Sequence, residues 1–169
     1  VFPDFLRKQK KIFMKKLRKR LLVYLAHEVA LPYFRLVRKG YKFPYTVKQL
    51  QRFPEGTVGK ALFHFFMDNQ LEMLPHYEKH DVKHVVLGYP PTEEGEVCLQ
   101  VFMLANGRIT FPVIFSVCIG LLIMPEQWNL FFKAWQRGRA THSLKTLDWF
   151  GLVAQPLQSV QQQIFQHKK

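Results

Sequence analysis

A single-domain, all-α helical bundle is the fold this chain predicts, and three observations predict it. Apolar residues return at intervals of three and four in separate stretches: Val58, Ala61, Leu62, Phe65 and Phe66; Trp128, Phe131, Phe132 and Trp135; Leu157, Val160 and Ile164. That spacing lines one face of a helix. The apolar supply, 48% of 169 residues with 16 phenylalanines and few runs of valine or threonine, suits helix packing around one core. Ten prolines act as punctuation between the periodic stretches.

The chain opens on a segment of different character. Residues 1–20 hold nine lysines and arginines interleaved with Phe5, Leu6, Ile12, Phe13 and Leu17, and they account for much of the net charge of +13. A basic amphipathic segment of this kind lies in a membrane interface, apolar face inserted and cations near lipid phosphate. It is not a secretory signal, because the apolar run Leu21–Ala26 is short and closes on His27-Glu28. Charge also attracts nucleic acid, but no groove-reading helix pattern or base-stacking motif accompanies it, so nucleic acid is not an expected partner. Residues 21–169 then read as one helical domain.

Within that domain, Leu22, Leu25, Val29 and Leu36 predict a first helix, with Pro32 a kink and Gly40 a stop. A short helix spans about Thr46–Arg52. Thr57 caps the next, whose apolar face leaves His64 to one side. A helix over 76–87 would place His80 and His84 one turn apart on a single face, with Asp81 in reach. Gly88-Tyr89-Pro90-Pro91 must break it. Thr92 caps the following helix, which carries Glu96 in its first part and ends near Asn106-Gly107. So short a connection between antiparallel helices could bring Glu96 opposite the imidazoles. That leaves two readings: His80, Asp81, His84 and Glu96 as an N2O2 set suited to a divalent metal, or the same residues as solvated side chains of a polar surface helix.

Ile109–Met124 is almost wholly apolar but, at sixteen residues, short of the roughly twenty that span a bilayer. Two readings stand: a buried core helix, or the wall of a lipid pocket presenting Phe111, Phe115, Ile119 and Leu122. Pro125 opens a helix that Gly138 ends, with Arg137 and Arg139 complementing its C-terminus. A last helix covers about 156–167. Cys98 and Cys118 sit in apolar runs without metal-ligand spacing and read as buried thiols in a reducing compartment.

Several pieces together resemble the coenzyme Q biosynthesis protein 4 family: Phe53-Pro-Glu-Gly-Thr-Val-Gly-Lys-Ala61, His80-Asp-Val-Lys-His84, Gly95-Glu96-Val97, Trp135-Gln-Arg-Gly138 and Asp148-Trp149. The likeness runs from about residue 30 to the C-terminus. Phe150 and Gln161 depart from the family pattern, which favours Glu and a basic residue there. The resemblance implies an all-α fold with an apolar central cavity for a prenylated aromatic or isoprenoid lipid. It implies zinc on His80, Asp81, His84 and Glu96, with magnesium or iron as alternatives. It also implies a peripheral membrane location, on the cytoplasmic face in a bacterium or the matrix face of the inner mitochondrial membrane in a eukaryote. The implied activity is C1-decarboxylation of a polyprenyl 4-hydroxybenzoate derivative in ubiquinone synthesis, alongside other enzymes of that pathway and with a homodimer as the possible assembly. Two other classes compete. One is a non-catalytic lipid-binding scaffold. The other is a His-Asp phosphohydrolase, for which His64, His80, Asp81 and Asp148 are the available four.

Overall fold

In the computed structural model, which describes residue 9 and residues 43–166, helices start where threonine stands before an apolar repeat. Helix α1 (Val47–Gln51) has a capping box: Gln49 N–H donates to Thr46 Oγ1, and Thr46 N–H donates to Gln49 Oε1 at 2.8 Å. Thr57 caps α2 (Val58–Asp68) through Lys60 N–H. Thr92 caps α4 (Glu93–Ala105) through Gly95 N–H, with Glu93 and Glu94 in the first turn. Each cap is worth about 1 kcal/mol, because it satisfies a donor that the helix leaves unpaired. The remaining α2 donors go to the C-terminal segment: Val58 N–H to the Gln155 carbonyl and Gly59 N–H to that of Val153.

Between these lies α3 (Glu78–Leu87), beginning two residues later than the sequence suggests because His76 is left-handed, at φ 73°. Helix α5 (Phe111–Ile123) follows, then a 3-10 turn (Pro125–Gln127), α6 (Trp128–Ala140) and α7 (Leu157–Phe165). Seven helices and no strand occur among the described residues, so the fold is all-α. The basic segment 1–20, the boundary after it and the helix expected over 22–36 lie outside them.

Helix α4 is central. It packs most extensively on α6 and next on α5. Leu99, Phe102 and Met103 join the larger core with Leu62, Phe66 and Trp149, while Val97, Cys98 and Val101 join the smaller one with Val117 and Phe131. A helix buried on more than one side holds a rigid position. Here that fixes Glu96.

Three expectations are corrected by packing. Gly138 does not end α6 but lies inside it, against the Phe102 carbonyl and Ala105, where a side chain would not fit. Arg137 complements a different C-terminus: its Nη1 donates to the Leu87 carbonyl of α3 at 2.7 Å, and its guanidinium lies 4.0 Å above the Phe165 ring. Of the two free cysteines, Cys98 is buried and Cys118 exposed. Gln161 fastens the same region, its Nε2 donating to the Val86 carbonyl. At the far end of α6, buried Asn106 binds the carbonyls of Gly138, Thr141 and His142 and accepts from Leu144 N–H.

Candidate metal centre

Helix α3 presents His80 and His84 on one face, as their spacing requires, and Gly88 ends it in the left-handed conformation at φ 71°. The chain reverses through Tyr89–Thr92 and α4 begins. Its first turn carries Glu96 back to both imidazoles: His80 Nε2 is 3.0 Å from Glu96 Oε2, and His84 Nε2 is 3.1 Å from Oε1. The two Nε2 atoms are 2.9 Å apart.

Proton bookkeeping makes this cluster unusual. His84 Nδ1 lies 2.9 Å from the Tyr89 carbonyl, which only accepts, so Nδ1 carries the proton and Nε2 of the neutral ring presents its lone pair. That lone pair faces a carboxylate oxygen and a second imidazole nitrogen. A proton on His80 Nε2 serves one of those neighbours and leaves His84 facing Glu96 in repulsion. A further proton or a cation between the three groups removes it. The ligand atoms all lie within 4.8 Å of one another. Ligands of a tetrahedral zinc with bonds of about 2.1 Å stand about 3.4 Å apart, so a few tenths of an ångström of opening suffices. The residues fit a divalent cation.

Burial acts on each group and the neighbours decide the outcome. Burial would raise Glu96, but the charges of His80 and His84 hold its carboxyl well below the usual range. It would lower His84, yet Glu96 and the Tyr89 carbonyl raise that imidazole above its ordinary value. For His80 burial prevails over Glu96 and the value falls. Phe65 of α2 stacks on the His84 ring at 5.7 Å between centroids and helps close it from water.

These shifts predict opposite pH slopes with and without metal. In the metal-free protein the raised His84 contributes stability that is complete below its unfolded value of 6.5 and is lost as pH rises through its higher folded value. His80, lowered, acts below 6.5, where the unfolded chain takes up a proton that the folded one refuses, so its contribution there runs the other way. Zinc binding needs neutral imidazoles, so the zinc-loaded protein loses stability as pH falls below 6.5 instead. Thermal melts from about pH 6.5 to 8.5 are expected to fall with rising pH in chelator and to rise in zinc; parallel slopes would refute a shared cation position.

Of the four ligands read from the sequence, the structure brings three together. Asp81 stays outside the close group. Its carboxyl is nevertheless largely buried beside His84, and burial pushes it up to about 7 against the pull of that imidazole. The phosphohydrolase set is not assembled: His64 is half exposed and near Glu55, and Asp148 Oδ1 accepts from Phe150 N–H. Phe111 and Leu122 point outward, 62% and 76% exposed, because α5 packs on α4 through Val113, Val117 and Gly120 on its other side. Phe115 and Ile119 are half-buried. A cavity of about 400 Å³ lies elsewhere, between Tyr89, Cys98 and α6, and none of those four lines it. The Tyr89 carbonyl, Phe65 and Gly95 were not found by sequence reasoning. Tyr89 sits in the recognised helix break, but nothing in its letter signals a role for its backbone.

Fold and site define an all-helical protein whose helix–turn–helix unit holds a partly buried His-His-Glu cluster of metal-ligand type. The family model described as coenzyme Q (ubiquinone) biosynthesis protein Coq4 matches residues 73–167, more than half of the chain, and the protein belongs to that family. Its role is therefore in ubiquinone biosynthesis. The crystal structure of a protein ascribed to ubiquinone biosynthesis in Nostoc punctiforme PCC 73102 has a similar fold. Its TM-score is 0.61 at 20% identity, covering 89% of this chain and 80% of that one. Among curated proteins none matches the sequence.

Proposed function

We propose that the protein is a metal-dependent decarboxylase of ubiquinone biosynthesis, acting at a membrane surface on a polyprenyl 4-hydroxybenzoate derivative. The observation that carries this reading is the His84 lone pair, held by the Tyr89 carbonyl toward His80 and Glu96. His80, His84 and Glu96 would hold the metal, zinc by donor type. Asp81, outside the close group, would support the centre rather than join it as the fourth ligand, since a carboxyl so costly to ionise is stabilised by a cation nearby. When bound, the metal supplies a Lewis acid for the charge that develops as carbon dioxide leaves.

The chain's own groups supply the rest. Glu96, ionised throughout the neutral range, balances the cation's charge. Phe65 and the Tyr89 carbonyl hold the His84 ring in one orientation and tautomer. In the reaction the bond from ring carbon to carboxylate breaks, its electron pair stays on the ring, and a proton replaces carbon dioxide. The prenyl tail remains in the lipid, at the cytoplasmic face in a bacterium or the matrix face in a mitochondrion.

The test is release of labelled carbon dioxide from a carboxyl-labelled prenyl hydroxybenzoate, together with metal analysis. Chelation is expected to abolish release and zinc to restore it. Asp81→Asn is expected to weaken zinc binding roughly 10- to 100-fold, the range for groups that support a metal without dominating it. Full zinc content with no carbon dioxide would instead establish a lipid-binding scaffold, and release indifferent to chelation would remove the metal from the mechanism.

A further inference from the structure

Eleven large hydrophobic side chains are exposed among the described residues, and nine of them lie between Ile109 and Trp135, on α5, α6 and their approaches. A concentration of this kind on one segment marks an interaction surface rather than scattered exposure. On α6 the exposed stripe runs Trp128, Phe132, Trp135, spaced by four and three, alongside the buried stripe of Phe131, Ala134 and Gly138. On α5 the side away from Val117 and Gly120 exposes Phe111 and Leu122. The stripes meet at the bend, where Trp128 Nε1 donates to the Leu121 carbonyl at 2.9 Å.

From this we infer that the α5–α6 face docks in the interface of an anionic lipid bilayer. The inference rests on the proposed action at a membrane and names the surface that makes the contact. Helix α5 has 13 residues and is about 20 Å long, against a hydrocarbon core of about 30 Å. The α6 unit turns away from it by 102°. Neither helix alone is long and apolar enough to cross, and a pair bent at that angle suits a position within the interface. Trp128 is suited to insertion because its one polar hydrogen is already bonded within the protein, so the ring enters lipid without losing a water partner. Charge selects the lipid. From Arg108 to Lys145, with Arg137 turned inward on Phe165, the chain still offers Arg108, Lys133, Arg139 and Lys145 against a single acid, Glu126, a balance that favours lipid phosphate over a neutral surface.

The full chain is mixed with sedimenting vesicles of phosphatidylcholine, with and without phosphatidylglycerol. Binding is expected to the anionic vesicles, with quenching of tryptophan emission by brominated acyl chains that largely disappears when Trp128→Phe and Trp135→Phe are combined, which leaves only the buried Trp149. The double variant Leu122→Asp, Phe132→Asp is expected to bind about tenfold or more weakly, since two large apolar contacts are replaced by repelled charges. Both positions are exposed, so its melting temperature and zinc content stay at wild-type values. A double variant that binds as well as wild type overturns this face and leaves membrane action to another segment. Wild type that ignores both vesicles overturns the face and the membrane reading together. If wild type ignores vesicles and is a dimer that the double variant dissolves, the face is a self-contact and the inference is likewise overturned.

Discussion

His84→Ala is expected to lower zinc affinity by more than about a hundredfold, beyond the 10- to 100-fold loss typical of supporting groups, because it removes a ligand outright. His84 is the ligand most fully enclosed, with 1% of its side chain exposed, stacked on Phe65 and bonded to Tyr89. Zinc analysis after gel filtration reads the result directly. The metal-free variant is also expected to lose about 2 kcal/mol, from the void and from a carboxylate left with one partner. That figure is below the full cost for a buried ion pair because Glu96 is 36% exposed and partly screened by solvent. A loss of this size lowers the melting temperature by roughly 4–8 °C in a chain this long. His64→Ala, on the outer side of α2, is expected to leave zinc content unchanged. Wild-type zinc content in His84→Ala would end the assignment of the centre.

Gly95→Ala is expected to damage both the turn and the centre. A methyl group at Gly95 would fall on the carbonyl oxygen of Pro90 and lie 3.0 Å from the Pro90 ring. Neither obstacle is a flexible side chain, so the α3–α4 connection itself has to move. Overpacking of this kind costs about 1–3 kcal/mol, and a rigid backbone obstacle places this case toward the upper end. The displaced segment includes Glu96, one residue on, and Tyr89, whose carbonyl orients His84. Zinc affinity should therefore fall roughly tenfold or more, along with stability. Gly56→Ala supplies the contrast: Gly56 has φ 80° but open space around it, so alanine there costs about 1 kcal/mol of backbone strain and leaves zinc binding intact. Equal zinc affinity in the two variants would show that the close approach at Gly95 does not position the ligands.

Both experiments separate what neighbouring letters encode from what distant ones do. The helices were legible because capping and periodicity are local. Thr57 and Thr92 cap the helices expected of them, and the apolar repeats at Val58–Phe66 and Leu157–Ile164 lie in helices that bury part of each repeat. The pairing of His80 with His84 was legible for the same reason, one turn of a helix being a fixed distance. Glu96 was within reach because only the short Gly88–Thr92 connection separates its helix from theirs. Failures came where a position depends on another part of the chain. Gly138 carries the letter of a helix stop, yet the proximity of α4 keeps it inside α6. Arg137 could not announce a bond to Leu87, fifty residues earlier.

The amino-acid order alone determined an all-helical chain, its turn at paired prolines and the convergence of two imidazoles with one carboxylate, since each depends on interactions spanning a few residues. Tertiary structure alone decided that the Tyr89 carbonyl sets the His84 tautomer and that Asp81 stands apart from the close group. It alone turned Phe111 and Leu122 outward. Those outcomes depend on where α4, α5 and α6 come to rest, and close packing of side chains far apart in sequence sets that.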